Sequence, residues 1–266
     1  MQRVLKAAVD HPVAATKWES PKQTPPVFQP GLKAQPWWHD LIEFPIAEQF
    51  KSFYQKNGKT IRREVDKLLG VALSPEEVEV DDEGKPVGDP IVMFPIQGLA
   101  RVGGGNVNDV MYQASATKTR ATNATIYSTV TLFDGLQWTE PVCKTMPTIC
   151  KFLKDQVSAF CTKKKPQNVQ EVVQQCATNH VVTLTKLRPG TTVREHTGPS
   201  NQRLIMYACL QGCDEVETSI GGQTITSFGI GDGGAKVGDD SFSLGTVHRG
   251  DKDLVLLNVL LPHPNI

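Results

Sequence analysis

The chain has 266 residues, enough for one large β-rich domain with additions or for two small domains. Its 28 Lys and Arg residues balance 28 Asp and Glu residues, so nothing in the charge asks for nucleic acid or an acidic membrane surface. No run approaches the roughly 18 uninterrupted apolar residues of a membrane span.

Residues 1–9 lack the long apolar segment of a secretory signal. Arg3, Lys6 and the alanines weakly resemble an organelle transit peptide, although Asp10 and Pro12 come early. Residues 1–30, with Pro21, Pro25, Pro26 and Pro30, read as an extended arm wrapped over the domain or partly disordered. The adjacent Trp37 and Trp38 follow a proline; such a pair buries a large apolar area while each indole N–H finds a partner. Residues 44–69 carry Phe50, Phe53, Tyr54, Ile61, Val65, Leu68 and Leu69 at helical spacing. Gly58 is expected to divide them into two helices, and Gly70 to close the second.

The acidic stretch 74–90 reads as a solvated excursion, and the Gly103-Gly-Gly-Asn-Val-Asn108 run as a turn, since it lacks the lysine of a phosphate cradle. Residues 125–133 alternate with β-branched side chains and predict a strand ending at Asp134-Gly135. Residues 151–159 predict a helix. Asn168 with Glu171 forms a capping box for another, with Val169, Val172, Val173 and Cys176 as its apolar stripe. The run 163–165 of lysines between them reads as a solvated turn. From Val181 onward the chain is almost all strand, at 181–187, 203–210, 215–220, 223–228, near 241–248 and 254–261. That spacing predicts a sandwich or small barrel. Six cysteines include no C-x-x-C pair, which argues against structural zinc, and Asn123-Ala-Thr125 matches a glycosylation acceptor.

The most informative segment is His196-Thr-Gly-Pro-Ser-Asn-Gln-Arg203. A histidine before a tight Gly-Pro turn, with a strand on each side, predicts an imidazole at a barrel corner, where double-stranded β-helix enzymes place metal ligands. The plainer reading is a histidine in an ordinary hairpin.

Five blocks now coincide in order. They are Gly31-Leu-Lys-Ala-Gln-Pro-Trp-Trp38, Cys143-x6-Cys150, Pro189-Gly190 with His196-Thr-Gly-Pro199, Asp239-Asp-Ser-Phe242, and His263-Pro264. Together they resemble the aspartyl/asparaginyl β-hydroxylase family, Fe(II)- and 2-oxoglutarate-dependent dioxygenases that hydroxylate protein side chains. The resemblance implies a mainly β fold with helical additions, a cupin-like jelly roll over residues 31–266, with insertions near 70–120 and 160–178. It implies His196 as the first iron ligand, Thr185 as a hydroxyl touching the co-substrate, and a Cys143–Cys150 disulfide near a protein-substrate groove. That disulfide would require an oxidising compartment, in the secretory pathway or an organelle; without it the cytoplasm is expected.

Several family positions are changed. Leu244 stands where the second iron-binding histidine is expected, and Leu254 where an arginine grips the 2-oxoglutarate carboxylate. Ile205 and Tyr207 replace a second arginine and a histidine, leaving Arg203 alone. A single imidazole does not hold Fe(II), and a dicarboxylate needs a fork-shaped partner. Two substitutes are conceivable. His248 lies four residues beyond the expected ligand, on the same strand face but about 13 Å away. With it, Arg249 or Lys252 would meet the co-substrate. Arg203 lies about 6.6 Å from the lost arginine and could meet a carboxylate in a shifted pose; its plainer role is pairing with an acidic neighbour at the barrel rim.

Three functions are therefore carried forward. One is a working hydroxylase, with His196 and His248 on Fe(II), and Thr185 and Arg203 on 2-oxoglutarate. Another is a catalytically silent member serving as a structural, binding or assembly module, which predicts an apolar pocket around Leu244, Leu254 and Ile205. A weaker third uses His196 as a general base beside Tyr207 or Asp240. The first two imply a protein or peptide partner, as substrate or in an assembly.

Overall fold

The computed structural model describes residues 22–39, 44–96, 100–102, 126–162, 181–226 and 233–265. The 103–108 glycine run, the Asn123 acceptor, the 163–165 lysines and the helix expected behind Asn168 lie outside these residues.

Two antiparallel sheets face each other. Strands β1 (Trp37–Trp38), β2 (Phe94–Pro95), β4 (Tyr127–Phe133), β5 (Val182–Leu187), β7 (Arg203–Gln211), β10 (Ala235–Gly238) and β12 (Leu254–Pro262) form the larger, in the order β1-β10-β7-β12-β5-β4-β2. Strands β3 (Ala100–Val102), β6 (Thr191–His196), β8 (Val216–Ile220), β9 (Gln223–Thr226) and β11 (Leu244–His248) form the smaller, in the order β3-β6-β11-β8-β9. Consecutive strands β5 to β8 alternate between sheets or cross within them, so the chain winds a sandwich rather than a meander. Helices α1 (Pro45–Val71), α2 (Glu140–Thr145) and α3 (Pro147–Thr162) complete the fold.

Strand periodicity divides the core in two. In β7 the even residues Leu204, Met206, Ala208 and Leu210 join Val255, Leu257, Val259 and Leu261 of β12 in one cluster with Phe50, Ile61, Leu68, Ile149 and Leu153 of the helices. The helices therefore cover the outer face of the larger sheet. The alternate residues, Tyr207, Cys209, Leu254 and Leu256, meet Val193, Val216 and Ile220 of the smaller sheet. That second cluster is the barrel interior. The tryptophans sit on successive positions of β1 and split accordingly, Trp37 to the barrel and Trp38 to the helices.

Three expectations change. The helix does not break at Gly58: α1 runs unbroken from Pro45 to Val71. A Cβ at Gly58 would stand 3.0 Å from the Tyr54 ring, so the glycine serves close packing, and burial of the helix face offsets its roughly 1 kcal/mol propensity cost. The indole N–H groups are not both partnered. Trp37 donates to the Gln223 carbonyl at 2.8 Å, whereas Trp38 Nε1 is buried without a partner among the described residues, its ring packed edge-on against Phe44 and His263. Finally, residues 191–196 and 235–238 are strands, although glycines and charges hid their alternation.

The acidic excursion is exposed and held by its own turn, where the Asp81 carboxylate accepts the Glu83 and Lys85 N–H groups. Residues 22–30 run in extended form across the loops that follow β6 and precede β11.

Candidate functional site

His196 ends β6 directly opposite Leu244, so the imidazole shares the barrel face with that leucine. Its Nδ1 lies 2.8 Å from the Arg194 carbonyl, which accepts a hydrogen bond only from a protonated nitrogen. The neutral ring is thereby held as the tautomer whose Nε2 keeps its lone pair.

The two motifs beside it are built for each other. Gly198 donates its N–H to the Asp240 carbonyl, and a Cβ at Gly198 would overlap the Asp240 carboxylate. The motif therefore needs glycine because Asp240 occupies the space where a side chain would stand. In the Asp239-Asp-Ser-Phe turn, Asp239 Oδ1 accepts the Ser241 N–H at 3.0 Å and the Ser241 hydroxyl, and the Asp239 carbonyl accepts the Phe242 N–H. This turn aims Asp240 inward.

Asp240 lies 3.3 Å from Arg203 Nη2. Burial raises the Asp240 pKa above 3.8, while the Arg203 guanidinium and His196 pull it back only in part. Tyr207, fully enclosed beside them, has its phenol pushed well above 10.0, first by burial and then by the Asp240 charge, so it stays protonated. Asn258 stands opposite both Tyr207 and Thr183, and its Nδ2 donates to Thr185 Oγ1 at 2.6 Å. The barrel interior thus contains a polar patch amid hydrocarbon. Within it Arg203 Nε, Asp240 Oδ1, Tyr207 Oη and Asn258 Oδ1 are buried with no hydrogen-bond partner among the described residues.

The other predicted positions fall elsewhere. His248 is fully buried, opposite Val216, with Nε2 2.6 Å from the Lys252 carbonyl. It sits four residues along β11 from Leu244, about 13 Å from the position that faces His196. The two imidazoles are not brought together, because the β6–β11 pairing puts leucine rather than His248 opposite His196. Arg249 is engaged at the surface with Glu217 at 2.6 Å. Arg203 pairs with the acidic Asp240. Leu254 is completely enclosed within the barrel cluster, and the half-buried Leu244 and Ile205 pack against it.

Cys143 and Cys150 form a disulfide between α2 and α3, their Cα atoms 5.5 Å apart. A second disulfide, Cys209–Cys213, ties the β7–β8 turn. The sequence reading missed it because Cys209 lies within strand periodicity; the signal was a Cys-x3-Cys spacing around a turn glycine, Gly212. Sequence reasoning also passed over the pairing of Gly198 with Asp240.

The residues present do not fit iron held in the family's manner. Leu244 offers no donor, His248 is remote, and among the described residues no three His, Cys, Asp or Glu side chains gather as a metal-binding group. Nor do they fit 2-oxoglutarate: Leu254 is hydrocarbon, and the neighbouring guanidinium is already committed to Asp240.

The family model of aspartyl/asparaginyl beta-hydroxylase matches residues 99–264, more than half of the chain. The chain belongs to that family. The two-sheet barrel is a double-stranded β-helix of the cupin type, as the resemblance implied. Among solved structures, a predicted oxalate decarboxylase from Thermotoga maritima is similar at 21% identity, over 34% of this chain and 72% of that one, with a TM-score of 0.28. The cupin domain of Schizosaccharomyces pombe Cnp3 is similar at 11% identity, over 32% of this chain and 56% of that one, with a TM-score of 0.26. An uncharacterized Klebsiella pneumoniae protein with a double-stranded β-helix domain is similar at 15% identity, over 32% and 69%, with a TM-score of 0.26. At such scores these likenesses carry no argument about activity. No curated protein sequence matches the chain.

Proposed function

We propose that this member of the hydroxylase family has given up 2-oxoglutarate-dependent hydroxylation and keeps its barrel as a binding module for a protein or peptide partner. One observation carries this reading: the strand position facing His196 is Leu244, half-buried and packed against the apolar cluster that encloses Leu254. A protein that needs two or more donors to retain Fe(II) is left with one imidazole and a carboxylate already paired with arginine. The disulfides Cys143–Cys150 and Cys209–Cys213 support residence in an oxidising compartment, where such bridges persist. Among the described residues no helix is long and apolar enough to cross a membrane.

A second reading, the peptidyl hydroxylase that the family name describes, draws support from the His196 tautomer, which leaves Nε2 ready to donate. Calorimetry with Fe(II) or Mn(II), and measurement of succinate formed from 2-oxoglutarate, separate the two. No saturable metal binding below about 100 μM, roughly −5.5 kcal/mol, and no succinate above the protein-free control are expected. Stoichiometric turnover would overturn the proposal. Leu244→His should then raise Mn(II) affinity at least about tenfold, since it restores a second imidazole opposite the first.

A further inference from the structure

Residues 22–30 close the barrel mouth without contributing to either core. They run between two loops, one carrying Gly198 to Gln202 and the other Asp239 to Ser243. On the first side Val27 donates its N–H to the Pro199 carbonyl at 3.0 Å and bridges Ser200 in parallel. Further along, the Gln29 backbone exchanges hydrogen bonds with the Asn201 side chain at 2.8 and 2.9 Å, and its Oε1 accepts Gln202 Nε2. On the second side Thr24 donates to the Ser241 carbonyl, the Lys22 carbonyl accepts the Ser243 N–H, and Gln23 bridges Phe242.

Apart from the buried Pro25 and the half-buried Phe28, the anchoring is polar. Neither apolar cluster includes a residue from 22 to 30. Gln23 and Pro25 are the buried side chains, while Lys22, Thr24, Pro26 and Val27 are exposed. Gln23 is wholly enclosed, with Nε2 donating to Ser241 Oγ at 2.9 Å and Oε1 left without a partner among the described residues. A buried carbonyl oxygen lacking a donor loses the water it had in the open chain. Segments held mainly by hydrogen bonds, with few apolar anchors, belong to the part of a fold that opens first. The loops beneath, by contrast, are fixed by the Gly198–Asp240 contact and by the Asp239–Ser241 hydrogen bonds.

We propose that these loops form a peptide-binding groove that the protein's own residues 22–30 occupy in cis, and that takes an extended peptide of the same chemistry from a partner when the strap releases. The occupant defines the ligand: an extended, proline-restrained segment with a glutamine side chain in the Ser241 pocket and proline two residues later. Main-chain hydrogen bonds supply attachment, and the alternate buried side chains supply selectivity. Because a tethered segment acts at an effective concentration on the order of millimolar, a free peptide must compete with that. The assignment is independent of whether the barrel binds iron.

Hydrogen exchange on the full chain gives the first test. The amides of Thr24, Val27, Gln29 and Ser243 should exchange at least tenfold faster than those of Leu256 and Leu257; exchange of both sets only through global unfolding overturns the proposal. The second test uses the full-length double variant Gln23→Ala/Gln29→Ala, which loosens the strap and leaves the groove intact. A fluorescently labelled synthetic peptide of residues 22–30 should bind this variant at least tenfold more tightly than it binds the unmodified protein. The peptide with alanine at its glutamine corresponding to Gln23 should bind about tenfold more weakly. A folded variant that binds neither peptide, or both equally, overturns the groove; if the variant fails to fold, the exchange comparison decides alone.

Discussion

The larger sheet has two faces made by the same strands, and they obey different rules. On the helix side Leu204, Met206, Ala208, Leu257 and Val259 present hydrocarbon to Phe50, Ile61 and Leu153, the Tyr54 hydroxyl donates to the Leu210 carbonyl, and the Trp38 indole N–H is a buried group without a partner among the described residues. On the barrel side the alternating residues Arg203, Tyr207 and Asn258 bring a charge, a phenol and an amide into a space otherwise lined by Leu254, Leu256 and Val216. The first face is built for stability. Unpartnered polar atoms on the second cost stability, which is what a surface kept for binding, or inherited from chemistry, looks like.

That contrast breaks most sharply at Leu257, fully buried on the helix face. Leu257→Ala should cost about 2–5 kcal/mol in denaturant unfolding, because it removes hydrocarbon contacts and leaves a cavity. A cost below about 1 kcal/mol would mean that the helices do not pack there.

An intermediate effect is expected at Asp240. Its folded pKa is raised by burial above 3.8, so ionisation disfavours the folded state. The group's stabilising contribution is complete below pH 3.8 and is lost as pH rises through the raised value. Asp240→Asn should therefore gain stability relative to the unmodified protein between pH 3 and pH 7, measured as parallel urea titrations. The opposite slope would show that the Arg203 pairing outweighs burial.

The smallest effect is expected at Tyr207. Removing its unpartnered hydroxyl in Tyr207→Phe loses no hydrogen bond and relieves a desolvated group, so stability should stay unchanged or rise by up to about 1 kcal/mol. A loss of more than 1 kcal/mol would reveal a partner for the phenol and make the barrel face as tightly satisfied as the helix face.

Much of the architecture was legible before any coordinates. The strands at 203–211 and 254–262 were readable because their hydrophobicity is nearly continuous, as it is when both faces are buried. The β6 strand was not, because Arg194 and Glu195 interrupt its alternation where a register shift in the β6–β11 pairing begins. The helix through Gly58 was misread for a related reason: a glycine selected for contact with Tyr54 looks the same in sequence as one that breaks a helix. At the site, His196 and the Asp239-Asp-Ser-Phe turn stood out as motifs, and the replacement by Leu244 was visible as a missing donor.

Residue order alone determined the family, the alternation that builds two sheets, and the presence of hydrocarbon at Leu244 and Leu254, since these depend on identity at fixed spacing. Only the folded chain decided which groups meet: Asp240 in the space beside Gly198, Arg203 on Asp240, His248 far from His196, and residues 22–30 across the mouth. Those meetings arise from strand register and loop closure between segments more than 30 residues apart, and local pattern carries no information about distance across a barrel.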